Sequence, residues 1–196
     1  MVRVGFIVEG DSEKILIGSD MFRKWCEKNG IAVVDPIINA QGGGNLLPEF
    51  FANYERRLSV TGRPDKIVVL TDREKAPTAA ATRRRILCVN KGKGKKIDYV
   101  FVSVKAVEAW FLADDRAMSS WLKERFHEEK PERTSGTPWE RIKEIALSKN
   151  RGPGSNHLAF ARTIIRQHGF SIERAAKHPN CPSVKEFYDT LKEWGG

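Results

Sequence analysis

Four short runs of β-branched and aromatic residues, each followed by a stretch with helical spacing, constrain this chain more than anything else in it. They cover residues 2–8, 31–38, 66–71 and 99–104. Runs of this length that are apolar throughout, rather than alternating, are what strands buried on both faces look like. After the first run, Gly10-Asp11-Ser12 breaks the strand and can cap a helix, and Ile15, Phe22, Trp25 and Cys26 recur at helical spacing until Asn29-Gly30 stops it. Leu47, Phe50, Phe51, Tyr54 and Leu58 mark one face of a second helix. A basic helix over 78–89 and a Lys-Gly tract lead to the fourth run, after which Val107, Trp110 and Phe111 open another apolar face.

The order β-α-β-α-β-α-β-α predicts an α/β fold: a Rossmann-like, mostly parallel sheet with helices on both faces. Pro36, near the end of the second run, marks that strand as an edge or a bulge, because proline has no N–H for the ladder. Beyond Asp114 the strand signals stop. Helices are predicted near 116–126, 138–148, 156–168, 171–177 and 183–194, with linkers at 131–136 and 152–154. The chain is therefore expected to divide into an α/β core over 1–112 and a helical C-terminal region over 113–196 packed on it.

Charge narrows the partners. Lys plus Arg is 34 against 25 for Asp plus Glu, a net charge of +9, which suits a polyanion. Arg83, Arg84, Arg85, Lys91, Lys93, Lys95 and Lys96 fall in one stretch with no acidic residue. Such a stretch can bind the phosphates of DNA or RNA without reading sequence, or can be a solvated loop. No apolar run approaches the roughly 20 residues of a membrane span. The N-terminus lacks the pattern of a secretory signal, and the three cysteines are far apart with no CxxC. Together these exclude a disulfide scaffold and a cysteine zinc site and lead us to expect a cytoplasmic protein. The four histidines are scattered; His157, beside Gly152-Pro153-Gly154, is the one that merits a test. The tryptophans read as helix-packing anchors.

Ligands of parallel sheets bind beyond the carboxyl ends of the strands. Glu9 follows the first strand, Asp72-Arg73-Glu74 the third, and Glu108 opens the helix after the fourth. Carboxylates gathered on one rim repel each other unless a divalent cation sits among them, and with oxygen ligands and a phosphate substrate magnesium or manganese is expected. The plainer alternative is that Asp11, Glu13 and Glu108 only complement helix N-termini. Gly42-Gly43-Gly44 follows the second strand and permits close approach to a phosphate, or is a flexible turn; no GK(S/T) follows.

Glu9-Gly10-Asp11-Ser12-Glu13, directly after VGFIV, resembles the glutamate motif of the Toprim superfamily, the fold shared by topoisomerases and bacterial primases. Asp72-x-Glu74 is similar to that superfamily's Asp-x-Asp, with the second arm lengthened. The segment 104–114, containing EAWFLAD, and the tail Pro179-Asn180-Cys181-Pro182-Ser183 resemble a bacterial Toprim-like family of unknown function with relatives among phage-defence nucleases. The resemblance implies phosphodiester chemistry, with Glu9 as general base, general acid or ligand, and with Asp72, Glu74 and Glu108 as metal-holding residues. A nucleophilic tyrosine and the extra domains of a topoisomerase or primase are not evident, so hydrolysis is the simplest expectation. The expected protein is a magnesium-dependent nuclease, in antiphage defence by that kinship. The alternatives are a non-catalytic module that binds an operon-encoded ATPase, and a hydrolase of nucleotides or small phosphoesters.

Overall fold

The central pair of the sheet is β1 (Val2–Val8) and β3 (Lys66–Asp72), flanked by β2 (Ile31–Asn39) and β4 (Tyr99–Ser103) in the order β2-β1-β3-β4. This is a computed structural model, and it describes residues 1–46, 48–73, 76–89 and 97–196. All three pairings are parallel, with Val8 opposite both Asn39 and Leu70, and Asp72 opposite Ser103. The carboxyl ends of all four strands therefore share one edge. The fold is α/β and Rossmann-like, as the order of apolar runs predicts. Pro36 lies in edge strand β2, where the register with β1 shifts between Gly5 and Ile7. That is where a residue without an N–H can be accommodated.

Strand alternation sorts the core into two layers. Val4, Phe6 and Val8 face α1 (Asp11–Ile17) and α2 (Asp20–Lys28), while Ile7 faces α3 (Pro48–Thr61) and α4 (Ala79–Val89). A Cβ on Gly5 would lie 3.1 Å from Leu58 and 3.2 Å from Pro64, so the glycine lets α3 approach β1 closely. The first helical stretch, expected as one helix, is two. Ser19 ends the first by donating to the Leu16 carbonyl at 2.7 Å, and begins the second by accepting from the Phe22 N–H at 3.2 Å. A serine able to serve both ends divides a helix that apolar spacing alone reads as continuous.

Helix α5 (Glu108–Leu112) closes the α/β part, and the C-terminal region comprises α6 (Asp115–Leu122), α7 (Pro138–Ser148), α8 (His157–Arg166), α9 (Ile172–Ala175) and α10 (Pro182–Gly195). Their starts follow local chemistry: a capping box pairs Thr137 with Glu140, and the Asn156 and Ser171 side chains cap α8 and α9. Helix α10 lies across the β1 face. Its Phe187 is fully buried, with ring centroids 4.8 Å from Phe101, 5.1 Å from Trp110, 5.9 Å from Phe22 and 6.5 Å from Phe6. One apolar cluster thus runs from β1 through α5 to α10.

The EAWFLAD segment joins these parts. Trp110 donates its indole N–H to Ser183 at 2.7 Å, at the start of α10. Asp114 is fully buried and caps α6 through the Ala117 N–H. It also takes both Nε and Nη2 of Arg174 at 2.8 Å and the Ser171 N–H at 2.8 Å. Cys26 and Cys181 are free and buried, and burial pushes the Cys26 thiol up to about 12. Among the described residues no helix is long and apolar enough to cross a membrane.

Candidate functional site

From β1 the chain turns towards β2, and from β3 it turns the other way towards β4. The strand ends part between β1 and β3, and in a parallel sheet this crevice is where ligands bind. Glu9 stands on one side of it and Asp72 on the other. The Glu9 carboxylate accepts the Asp72 backbone N–H at 3.0 Å and a short hydrogen bond from the Thr71 hydroxyl. The Asp72 carboxylate in turn accepts from Ser103 at the end of β4. Glu108, buried at the start of α5, accepts from the Ser12 hydroxyl at 2.9 Å. Glu13 is only 4% exposed and lies on the inward face of α1 with Leu16 and Ile17. Asp11 is exposed and accepts from Asn39 at 2.7 Å.

These groups line a cavity of about 690 Å³ with five carboxylates (Glu9, Asp11, Glu13, Asp72, Glu108) and, among the described residues, no lysine or arginine. Part of its wall comes from the end of β2 and the turn after it, and part from the C-terminal region: Thr137 at the start of α7, Trp139, and His157 at the start of α8, against which α1 packs. The acids disturb one another accordingly. Loss of water raises the Glu13 carboxyl to about 7, with the charges of Glu108 and Glu9 adding to the rise. Asp72 is raised well above the usual carboxylate range, first by loss of water and then by Glu13, against the opposing hydrogen bond from Ser103. Crowded oxygen donors without a counter-charge fit a hard divalent cation. No three of them bring ligand atoms within 4.8 Å of one another, so an ion shared by three would draw side chains inward.

Among the described residues one other group does meet that distance: Asp115, His127 and His178. They could hold a metal, and their imidazoles suit zinc better than magnesium. Asp115 Oδ2 lies 2.8 Å from His127 Nδ1, and its buried Oδ1 has no hydrogen-bond partner. Both ring nitrogens of His178 are engaged, Nε2 with the Glu128 carbonyl at 2.8 Å and Nδ1 with the Asn180 N–H at 3.1 Å. A metal ion there displaces one of these bonds. The two histidines stand far apart in the sequence, which hides their proximity.

Of the residues expected from sequence, Glu9, Asp72 and Glu108 meet at this cavity. Gly42 lines it too; its φ is +117°, and its N–H donates to the Glu9 carbonyl at 2.9 Å. Gly43 is buried and Gly44 exposed, and neither lines the cavity. Glu74, Lys91, Lys93, Lys95 and Lys96 lie outside the described residues. Arg83 points elsewhere: it donates to the Val100 carbonyl at 2.8 Å and to Glu186 on α10 at 2.6 Å. Arg84 and Arg85 are exposed on α4 and do not line the cavity. Glu13 is the acid that sequence reasoning left as helix-terminus charge. The available signal was its position three and four residues before Leu16 and Ile17, which places a carboxylate on the apolar face. Comparison with protein-family models, curated proteins and solved structures gives no match for this chain.

Proposed function

We propose that this protein is a divalent-metal-dependent phosphodiesterase acting on nucleic acid, with magnesium or manganese held by Glu9, Glu13, Asp72 and Glu108. The observation that carries the reading is one cavity, at the parting of the central strands, into which β1, α1, β3 and α5 each deliver a carboxylate and no described lysine or arginine enters. The raised Glu13 and Asp72 say that this much negative charge is not at rest there. A bound divalent ion supplies neutralisation of the charge that develops on a phosphate under attack. Glu9 is oriented by the Asp72 N–H and the Thr71 hydroxyl, which fixes one carboxylate oxygen and leaves the other to exchange a proton with water or the leaving oxygen. The net charge of +9 supports a polyanionic substrate.

The test is cleavage of single- and double-stranded DNA and RNA by the purified protein in magnesium, in manganese and in EDTA. Cleavage is expected with either metal and not in EDTA. Asp72→Asn should abolish it. Glu9→Gln should abolish turnover while binding is kept or tightened, because it removes a negative charge near a polyanion. No cleavage under any condition, or wild-type cleavage by Asp72→Asn, overturns the reading.

A further inference from the structure

One residue beyond Asp72 a second cavity opens, of about 600 Å³ and of opposite character. Strand residues alternate sides, so the Asp72 carboxylate and the Arg73 guanidinium leave the end of β3 in opposite directions. Arg73 is still laddered to β4, its N–H donating to the Ser103 carbonyl at 2.9 Å. Lys105 and Arg133 also line this cavity, and Asn180 completes its polar wall.

The cations there are not spent on carboxylates. The Nε of Arg73 is buried and has no hydrogen-bond partner among the described residues. A guanidinium N–H is an obligatory donor, and leaving it unpaired away from water is costly. Lys105 donates to the Thr134 and Gly136 carbonyls, the latter at 2.7 Å, which fixes the ammonium; its charge is felt by the Glu140 carboxylate, yet it forms no ion pair among the described residues. Its backbone has φ +68°, a left-handed conformation that a non-glycine residue adopts at a cost and that clusters at functional sites. Arg133 is exposed and has no ion pair among the described residues. The one carboxylate in the lining, Glu132, is turned to the start of α10: its Oε1 accepts from the Ser183 N–H at 2.9 Å and from the Cys181 thiol. Three cations face one engaged acid.

We propose that this cavity is a phosphate-binding site, built by Arg73, Lys105 and Arg133, that holds a backbone phosphate of the nucleic-acid strand presented to the neighbouring carboxylates. A phosphate oxygen supplies the acceptor that Arg73 Nε lacks, and a tetrahedral anion suits the planar donors of two arginines beside one ammonium. The assignment to a strand, rather than to a free phosphate, rests on the function proposed above; the phosphate chemistry rests on this cavity alone.

The experiment is done in EDTA, so that neither metal binding nor cleavage enters. Affinity for a labelled single-stranded oligothymidylate is measured against salt, and inorganic phosphate is titrated as a competitor. The proteins are wild type, Arg73→Gln, Arg133→Gln and, as control, Arg3→Gln, which removes the same charge at the opposite end of β1. Arg133 is exposed, so its variant keeps the test sound if Arg73→Gln is poorly folded. Both site variants should weaken the oligonucleotide about tenfold or more and lower the salt slope by about one phosphate contact, with Arg3→Gln unchanged. Phosphate should compete with the strand on wild type and lose that effect in Arg73→Gln. If the variants lose inorganic phosphate but keep the strand, the phosphate site stands and its ligand is a free phosphate. Wild-type binding of both probes by Arg73→Gln and Arg133→Gln, or an equal loss in Arg3→Gln, overturns the proposal. A protein that shows this binding yet never cleaves with magnesium or manganese refutes the phosphodiesterase reading and leaves the phosphate site standing.

Discussion

Replacing Glu13 by glutamine should make the protein less sensitive to pH, so that the variant gains stability on wild type as pH rises. The folded Glu13 carboxyl holds its proton up to about 7, against an ordinary 4.5, chiefly because burial penalises the charged form. A carboxyl raised in the folded state favours folding fully below its unfolded value, and that favour is lost as pH climbs through the folded one. At about 1.4 kcal/mol per pH unit between the two values, wild type forfeits about 3 kcal/mol by pH 8 but only about 1 kcal/mol at pH 5. Glutamine has nearly the same shape and no proton to lose. Its own burial cost does not vary with pH, so the informative quantity is how the difference between the proteins changes. Urea unfolding in EDTA should show Glu13→Gln gaining about 2 kcal/mol on wild type between pH 5 and pH 8. Magnesium at saturating concentration should then raise the wild type at pH 8 more than the variant, because binding to the folded state adds stability by mass action. Parallel pH profiles for the two proteins would refute the picture of a strained, buried carboxylate, and with it the argument that this cavity is short of a cation.

Asp114→Ala should cost roughly 3 kcal/mol, the low end for breaking a buried pair, because Arg174 keeps some access to water; thermal or urea unfolding reads it. Arg83→Ala should lower stability by about 1 kcal/mol through its lost contact with Glu186 and leave nucleic-acid affinity unchanged. Neutralising the exposed Arg84 and Arg85 together should do the reverse, weakening binding to any sequence and flattening its salt dependence.

The strands were legible because burial on both faces leaves a run such as KIVVLT with no polar residue between its first and its last. Glu9, Asp72 and Glu108 were legible for a related reason: in a parallel sheet the position after a strand is also a position in space. Helix ends were readable where a side chain caps them, at Thr137, Asn156 and Ser171. Ser19 shows the limit, since one serine serving two helices leaves the apolar spacing intact. The wall formed by Thr137, Trp139 and His157 could not be read, because nothing local tells which side of the sheet a later helix will join. The role of Arg73 was hidden differently. Charge density drew attention to the run 83–96, whereas a cation's availability depends on whether a carboxylate has claimed it. Arg83 has Glu186; Arg73 has no acid among the described residues.

The packing around Phe187 also sets an order in time. A chain is made from its N-terminus, and every acid of the cavity, from Glu9 to Glu108, has been made before α10 exists. The face of the sheet on which α1 and α5 rest still exposes Phe6, Phe22, Phe101 and Trp110 at that moment, because the ring that fills the space between them belongs to α10. Glu13 and Glu108 are carried by those two helices, so they take up their settled positions only when the last helix docks. Assembly of the carboxylate cavity is thereby deferred until α10 has been made and has docked, and a shorter nascent chain holds its acids apart.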